Sequence, residues 1–200
     1  GEYGFNLVYD RTYPVGTQDF SSIMAEVRDV KAFAAFSYPP DSVAITDNAQ
    51  LHGFNPNVMY VGIGGAFPMY TDRFGASVDG VLTHGGLNMA DERTLDYIAR
   101  HEAVTGRRPD SAGSIVMYAA LEAMEQAISR TGTLDNSVIA EEMKTGTFDT
   151  VLGEISLASQ MMPDIFKVGQ IRDGYVVGLG PRDVPGRGEF IMPKQPWPAR

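Results

Sequence analysis

DRTYPVGTQDFSSIMAEVRDVKAFAAFSYPPDSVAIT, residues Asp10 to Thr46, reads as a strand end, a loop, a helix, a second strand and a Tyr-Pro-Pro loop that opens another helix. The first helix starts at Asp19, whose short carboxylate suits the free N–H groups of an opening turn. Phe20, Ile23, Met24 and Val27 follow at three- and four-residue spacing, which gathers them on one apolar face. Ala32 to Phe36 has the length and apolarity of a short buried strand, and Ser37-Tyr38-Pro39-Pro40 interrupts it. Asp41 caps the next helix, which runs through Gln50, and Gly53 lies where a left-handed C-cap belongs.

Upstream of this stretch, Phe5 to Tyr9 is apolar and β-prone and ends in the polar turn Asp10-Arg11-Thr12, so it reads as a strand. Downstream, Val58 to Ile63 is a further strand that runs into Gly62-Ile63-Gly64-Gly65-Ala66-Phe67, where missing side chains let something approach the backbone closely. Gly80 to Thr83 adds a fourth strand before Gly85-Gly86. Strands that alternate with helices imply parallel pairing through right-handed crossovers, hence an α/β fold with a parallel sheet.

The next region is helical: Asp91 to Thr105 ended by Gly106, Ser111 to Arg130 ended by Gly132, and Asp135 to Lys144. In the middle helix Ile115, Ala119, Met124 and Ile128 suit a packed face, with Ala120, Ala123 and Ala127 permitting close approach. Val151 to Leu157 and Phe166 to Arg172 read as strands, and Asp173-Gly174 is a two-residue hairpin signal leading into Tyr175 to Leu179. From Pro181 onward prolines exclude helix and favour an extended tail, with Trp197 as its anchor.

Composition excludes several function classes. The 200 residues carry a formal net charge of -9, and no basic run exists to neutralise phosphates, which argues against a nucleic-acid partner. Arg107-Arg108 reads as a solvated helix terminus. With no cysteine there is no disulfide, thiolate nucleophile or cysteine-ligated metal. His52, His84 and His101 lie in three different elements without a metal-ligand spacing. Ser21 and Ser22 lack a nucleophile elbow, and Asp91-Glu92 and Glu141-Glu142 point to different helix faces, so no general acid–base pair can be nominated. Gly62-x-Gly64-Gly65 lacks the third glycine of a dinucleotide fingerprint, and Asp79 precedes a strand instead of ending one, which disfavours a nucleotide-dependent enzyme.

Taken in order, these segments resemble the C-terminal half of the type I periplasmic solute-binding proteins of the Leu/Ile/Val-binding type, receptors that feed ABC importers. YPVGTQDFSSIMAEV is similar to the family's Tyr-Pro-x-Gly then Asp-Phe-Ser helix entry. FSYPPDSVAITDNAQLHGFNP resembles the strand, ligand loop and helix that follow, SAGSIVMYAALEAMEQAISRTGTLD the long helix that crosses back to the first lobe, and DTVLGEISL the return strand after it. The resemblance implies an incomplete three-layer lobe, 1–84, that lacks its first strand and helix. It also implies helices at 85–162 that pack on the other lobe, return strands at 163–180 and an extended tail at 181–200, with His84, Gly85 and Gly86 at the hinge. Gly1-Glu2-Tyr3 does not open a signal peptide, and no apolar run reaches the ~20 residues a bilayer requires. The resemblance further implies a periplasmic address, no cofactor, no metal, no catalysis, and two partners: a small-molecule solute and the importer's membrane subunits. Helices made to cover an absent sheet would leave apolar surface exposed, which predicts a homodimer or swapped dimer for this chain.

Ligands of open α/β sheets bind outside the carboxyl ends of the strands, here Tyr13, Ser37, Tyr38, Pro39, Gly64, Gly65, Ala66 and Phe67. By the resemblance, Tyr38 occupies the loop whose aromatic residue contacts the solute. One departure stands out: where amino-acid-binding members carry an acidic residue in the loop after the third strand, this chain has Gly64. An ammonium buried there would lack its counter-charge, so the expected solute has no α-ammonium and is an amide, a carboxylate or an aromatic acid. The helix that opens near Asp41 could favour a carboxylate, although Asp41 itself opposes one. The alternative to transport is a ligand-sensing regulator on the same scaffold.

Overall fold

The computed structural model describes residues 4–85, 87–88, 91–161, 167–180 and 187–198. In the first helix, α1 (Ser21–Glu26), the Asp19 carboxylate accepts the Ser21 N–H at 2.9 Å, and Phe20, Met24 and Val27 are buried as their spacing requires. After β1 (Ala32–Ala35) the chain enters α2 (Pro39–Leu51), and Phe54 N–H closes back on Ala49 O at 2.8 Å while Gly53 takes φ +65°. Buried Asn48 ties the two helices together: its side-chain oxygen accepts from Phe20 N–H at 3.1 Å, and its amide donates to Gln18 O at 3.0 Å. Then come β2 (Val58–Val61), a 3₁₀ turn at Ile63–Ala66, α3 (Pro68–Phe74) and β3 (Leu82–His84).

The main sheet has the order β1-β2-β3-β6-β7, where β6 is Val168–Arg172 and β7 is Tyr175–Gly178. β1, β2 and β3 are parallel, as alternation with helices requires, and the β6–β7 hairpin adds an antiparallel edge. Asp173 and Gly174 turn that hairpin with φ +50° and +81°, both positive as a type I′ turn demands. α1, α2, α3 and the strands share one core built on Phe20, Met24, Ile45, Met59, Val61 and Tyr70.

Phe5 to Tyr9 differs from the expectation, for it is not a strand. Phe5, Leu7 and Val8 are 74%, 78% and 68% exposed. This segment and β1 both line a cavity of about 880 Å³, so it stands off from the sheet edge instead of pairing with it. Extended chain becomes a strand only when a neighbour takes its N–H and C=O groups, however β-prone the residues are.

The rest forms a helical body on two smaller cores. α4 (Glu92–Thr105) is capped by Asp91 and ended by Gly106 in the left-handed region. α5 (Ser114–Thr131) starts three residues later than its sequence predicts, because the Asp110 carboxylate gathers the N–H groups of Ala112, Gly113 and Ser114 and holds 111–113 as a turn. Burial raises the Asp110 pKa, but the hydrogen bonds from Ser114, Gly113 and Ala112 outweigh it and hold the carboxyl below its usual range. A folded-state pKa below the unfolded one adds stability above about pH 4 and loses it as pH falls further. Asp110→Ala is therefore expected to cost about 1–2 kcal/mol at pH 7 and less toward pH 2, read from urea denaturation at both values.

α5 buries Ile115, Ala119, Ala123 and Ala127, whereas Ala120 and Met124, expected in the packed face, are exposed. α6 (Asn136–Thr145) leads to the hairpin β4 (Thr147–Thr150) and β5 (Gly153–Ser156), so the strand predicted over Val151 to Leu157 holds β5 alone, and β4, which pairs with it across Val151-Leu152, was not predicted. The turn is held from outside: Val151 N–H donates to the Glu122 carboxylate at 2.7 Å, a contact 29 residues away that no local pattern encodes. The described part of the tail, 187–198, forms neither helix nor strand, and Trp197 anchors it by donating Nε1–H to Phe54 O at 2.7 Å.

Candidate functional site

The loops after β1 and β2 meet at the carboxyl end of the sheet. Gly62 N–H donates to Ala35 O at 2.7 Å, and a Cβ at Gly62 would lie 2.8 Å from the Ser37 backbone N and O. Ser37 is buried and shares a 2.7 Å hydrogen bond with the Ser42 hydroxyl, while Ser42 also reaches back to Tyr38 O at 3.1 Å. Pro39 and Pro40 open α2 without N–H groups, which removes two of the donors that usually make a helix N-terminus receptive to anions.

Tyr13, Phe36, Tyr38 and Asp41 border the 880 Å³ cavity together. Tyr13 is half-buried, packs edge-on against Phe20 with ring centroids 5.0 Å apart, and has its phenol pKa raised by burial and then by the Asp41 charge, partly offset by Ser37. Tyr38 is 63% exposed, its ring open to whatever occupies the cavity. Asp41 is 1% exposed; Oδ1 accepts Gly16 N–H at 2.9 Å, and Oδ2 has no partner among the described residues.

Gly64, Gly65 and Ala66 are buried on the other flank of α2's first turn. A Cβ at Gly64 would lie 2.9 Å from Pro39 Cα and collide with the Ser42 side chain; one at Gly65 would lie 2.9 Å from the Thr83 Cβ. These glycines thus admit the protein's own helix and strand. Gly65, Ala66 and Phe67 line a separate small pocket with Arg108, Ser111 and Tyr175, and Ser111 N–H donates to Ala66 O at 2.9 Å. Of the sequence-predicted residues, Tyr13 and Tyr38 border the large cavity, whereas Ser37, Pro39 and Gly64 do not line it and Gly65, Ala66 and Phe67 line the small pocket instead.

At the predicted hinge, His84 ends β3 with Nδ1 3.0 Å from the Tyr60 hydroxyl, and burial lowers its pKa. Gly85 takes φ +90° under Ser111 O, where a Cβ would be 2.7 Å away, and its N–H donates to Lys167 O at 2.9 Å. The outgoing chain thus runs antiparallel beside the returning one at this point. Gly86 lies outside the described residues.

Sequence reasoning undervalued two residues. Arg108 is no solvated terminus: its guanidinium donates to Gly174 O and Asp72 at 2.7 Å each and lies 5.4 Å over the Tyr175 ring. Its partners lie 36 and 66 residues away in sequence, beyond any local signal. Asp41 reads as a helix cap, but its carboxyl is aimed at the Tyr13 loop.

The sequence profile described as periplasmic binding protein matches residues 1–173. The chain belongs to the periplasmic binding protein family. Its members are binding proteins, not enzymes. A Leu/Ile/Val-binding protein homolog of Brucella suis is 24% identical over 152 residues, covering 71% of this chain and 38% of the relative. A solved structure provisionally assigned as a branched-chain amino acid ABC transporter from Silicibacter pomeroyi superposes with TM-score 0.74 at 20% identity, over 98% of this chain and 55% of that one. A solute-binding protein of a Rhodopseudomonas palustris ABC transporter, solved with benzoate, gives TM-score 0.66 at 17% identity over 88% and 50%. The periplasmic binding protein chain described here thus spans about half the length of these solved structures and 38% of the curated relative.

Proposed function

We propose that this chain is the second lobe, with its crossover helices, of a two-lobed solute-binding receptor for an ABC importer in the periplasm. A small polar or aromatic solute is held between the lobes without chemistry, and closure is stabilised by contacts that only the closed state makes. The observation that carries this reading is the carboxyl end of β1, where Tyr13, Tyr38 and Asp41 border one end of an open cavity that continues along β1 as far as Val30 and Val58. Titrating the two-lobed receptor with amino acids, their amides and aromatic acids tests it: one class raises the melting temperature in proportion to log concentration, and no response to any of them overturns it.

The helical body supports the same division of the chain. Met117, Leu121 and Met124 make an apolar stripe on α5 that is 63%, 60% and 44% exposed, on the side away from its buried alanines. This stripe is where the first lobe docks. Residues 1–200 alone are expected to self-associate through it, and Leu121→Glu with Met117→Glu to shift the mass seen by light scattering to the monomer. A clean monomer of the parent chain at high concentration would contradict that role.

A further inference from the structure

We infer that Arg108 is a positioning residue for closure: it ties the helical body to the sheet at a second point beside the Gly85 crossing, and so restricts the two to rotation about one axis. The inference rests on the reading of the helical body as the platform for the first lobe. Arg108 lies in the segment between α4 and α5, and its planar guanidinium reaches two elements of the sheet at once. One nitrogen donates to Gly174 O, in the β6–β7 turn, at 2.7 Å. Another donates to the Asp72 carboxylate at 2.7 Å and to the Thr71 hydroxyl at 3.3 Å, both on α3. The same group lies 5.4 Å over the Tyr175 ring, which packs on the core of the helical body around Tyr97, Ile98 and Ile115. A Cβ at Gly174 would run into the guanidinium, so the turn glycine makes room for it. A fork of fixed directions holds a carboxylate and a turn carbonyl in one plane, which a single ammonium point does not.

The other point of attachment is three residues on. Ser111 donates its N–H to Ala66 O at 2.9 Å and its hydroxyl to the same oxygen at 3.1 Å. Its own carbonyl stands over Gly85, where a Cβ would be 2.7 Å away. A body held at one point turns about any axis through it, whereas a second point leaves only rotation about the line that joins the two. Arg108 and Ser111 are those points, and both line the small pocket with Gly65, Phe67 and Tyr175. Contacts near a rotation axis change little as the bodies turn, so this pair persists through closure.

Pulsed dipolar spectroscopy of this chain tests the role. The chain has no cysteine, so nitroxides can be attached at Leu51→Cys on α2 and Val104→Cys on α4, positions 63% and 87% exposed. Labelled chain is diluted with unlabelled chain so that only intramolecular distances are read. The parent should give one narrow distribution, and Arg108→Ala should widen it at least about twofold, while a pair inside the helical body, Val104→Cys with Leu134→Cys, keeps its width. Asp72→Asn, at a carboxylate that is 66% exposed, removes part of the grip and should widen the first distribution to a lesser extent. Arg93→Ala breaks an arginine–aspartate bridge within the helical body, to Asp149, and should leave it unchanged. A width in Arg108→Ala equal to the parent's overturns the role, as does equal widening by Arg93→Ala. If Arg108→Ala does not fold, Asp72→Asn decides by the same comparison. No solute takes part, so a failure here leaves the cavity in place, and a failed solute titration leaves this anchor standing.

Discussion

Gly64→Glu, which restores an acidic side chain to the loop after β2, is expected to disrupt the first turn of α2 instead of creating an ammonium site. A Cβ at Gly64 meets Pro39 Cα at 2.9 Å and the Ser42 side chain, and backbone cannot rotate out of the way as a side-chain tip can. Overpacking of this kind costs about 1–3 kcal/mol, and a carboxylate forced into a buried slot adds to it, so a loss of about 3 kcal/mol or more is expected. Gly62→Ala should be comparably severe, because its Cβ would face the Ser37 backbone N and O at 2.8 Å. Gly65→Ala should also cost about 1–3 kcal/mol, since its Cβ would meet at 2.9 Å the Cβ of buried Thr83, an atom fixed to the β3 backbone. Urea midpoints at constant m-value rank the three, and Gly64→Glu within about 0.5 kcal/mol of the parent would refute the packing argument.

The opposite pattern is expected at Tyr38. Its ring is 63% exposed and its backbone alone joins the loop network, through Tyr38 O and the Ser42 hydroxyl. Tyr38→Ala should therefore change stability by less than about 0.5 kcal/mol, yet weaken solute binding by the two-lobed receptor at least tenfold, about 1.4 kcal/mol, as loss of an aromatic contact does. Tyr13→Ala is the control that separates these effects. Tyr13 packs on Phe20, so its removal should lower both stability and affinity. Calorimetric titration beside thermal melting reads both quantities, and unchanged affinity in Tyr38→Ala would remove Tyr38 from the site.

What the sequence revealed and what it hid follow one physical division. The capped helices, the Asp173-Gly174 hairpin and the parallel run of β1, β2 and β3 were legible because their signals are local: a cap, a turn dipeptide, an apolar spacing. Phe5 to Tyr9 misled for the same reason, since β propensity is local and strand pairing is not. Met124 fits the helical period of α5 as well as Ala123 does, and only the neighbours of α5 decide which of them is buried. At the candidate site, the position of Tyr38 between β1 and α2 was legible from its loop. The free oxygen of Asp41 and the anchoring of Arg108 depend on Gly16, Gly174 and Asp72, whose proximity exists only once the chain is folded.

One comparison bears most directly on the claim that these residues are half of a clamshell receptor. The affinity of a single solute, chosen from the titration of the two-lobed protein, is measured by calorimetry for that protein and for residues 1–200 alone. A ligand gripped by two faces loses most of its binding energy when one is removed, so residues 1–200 should bind at least ~100-fold more weakly. Equal affinity in the two proteins would show that this chain holds the whole site by itself, and would contradict the account.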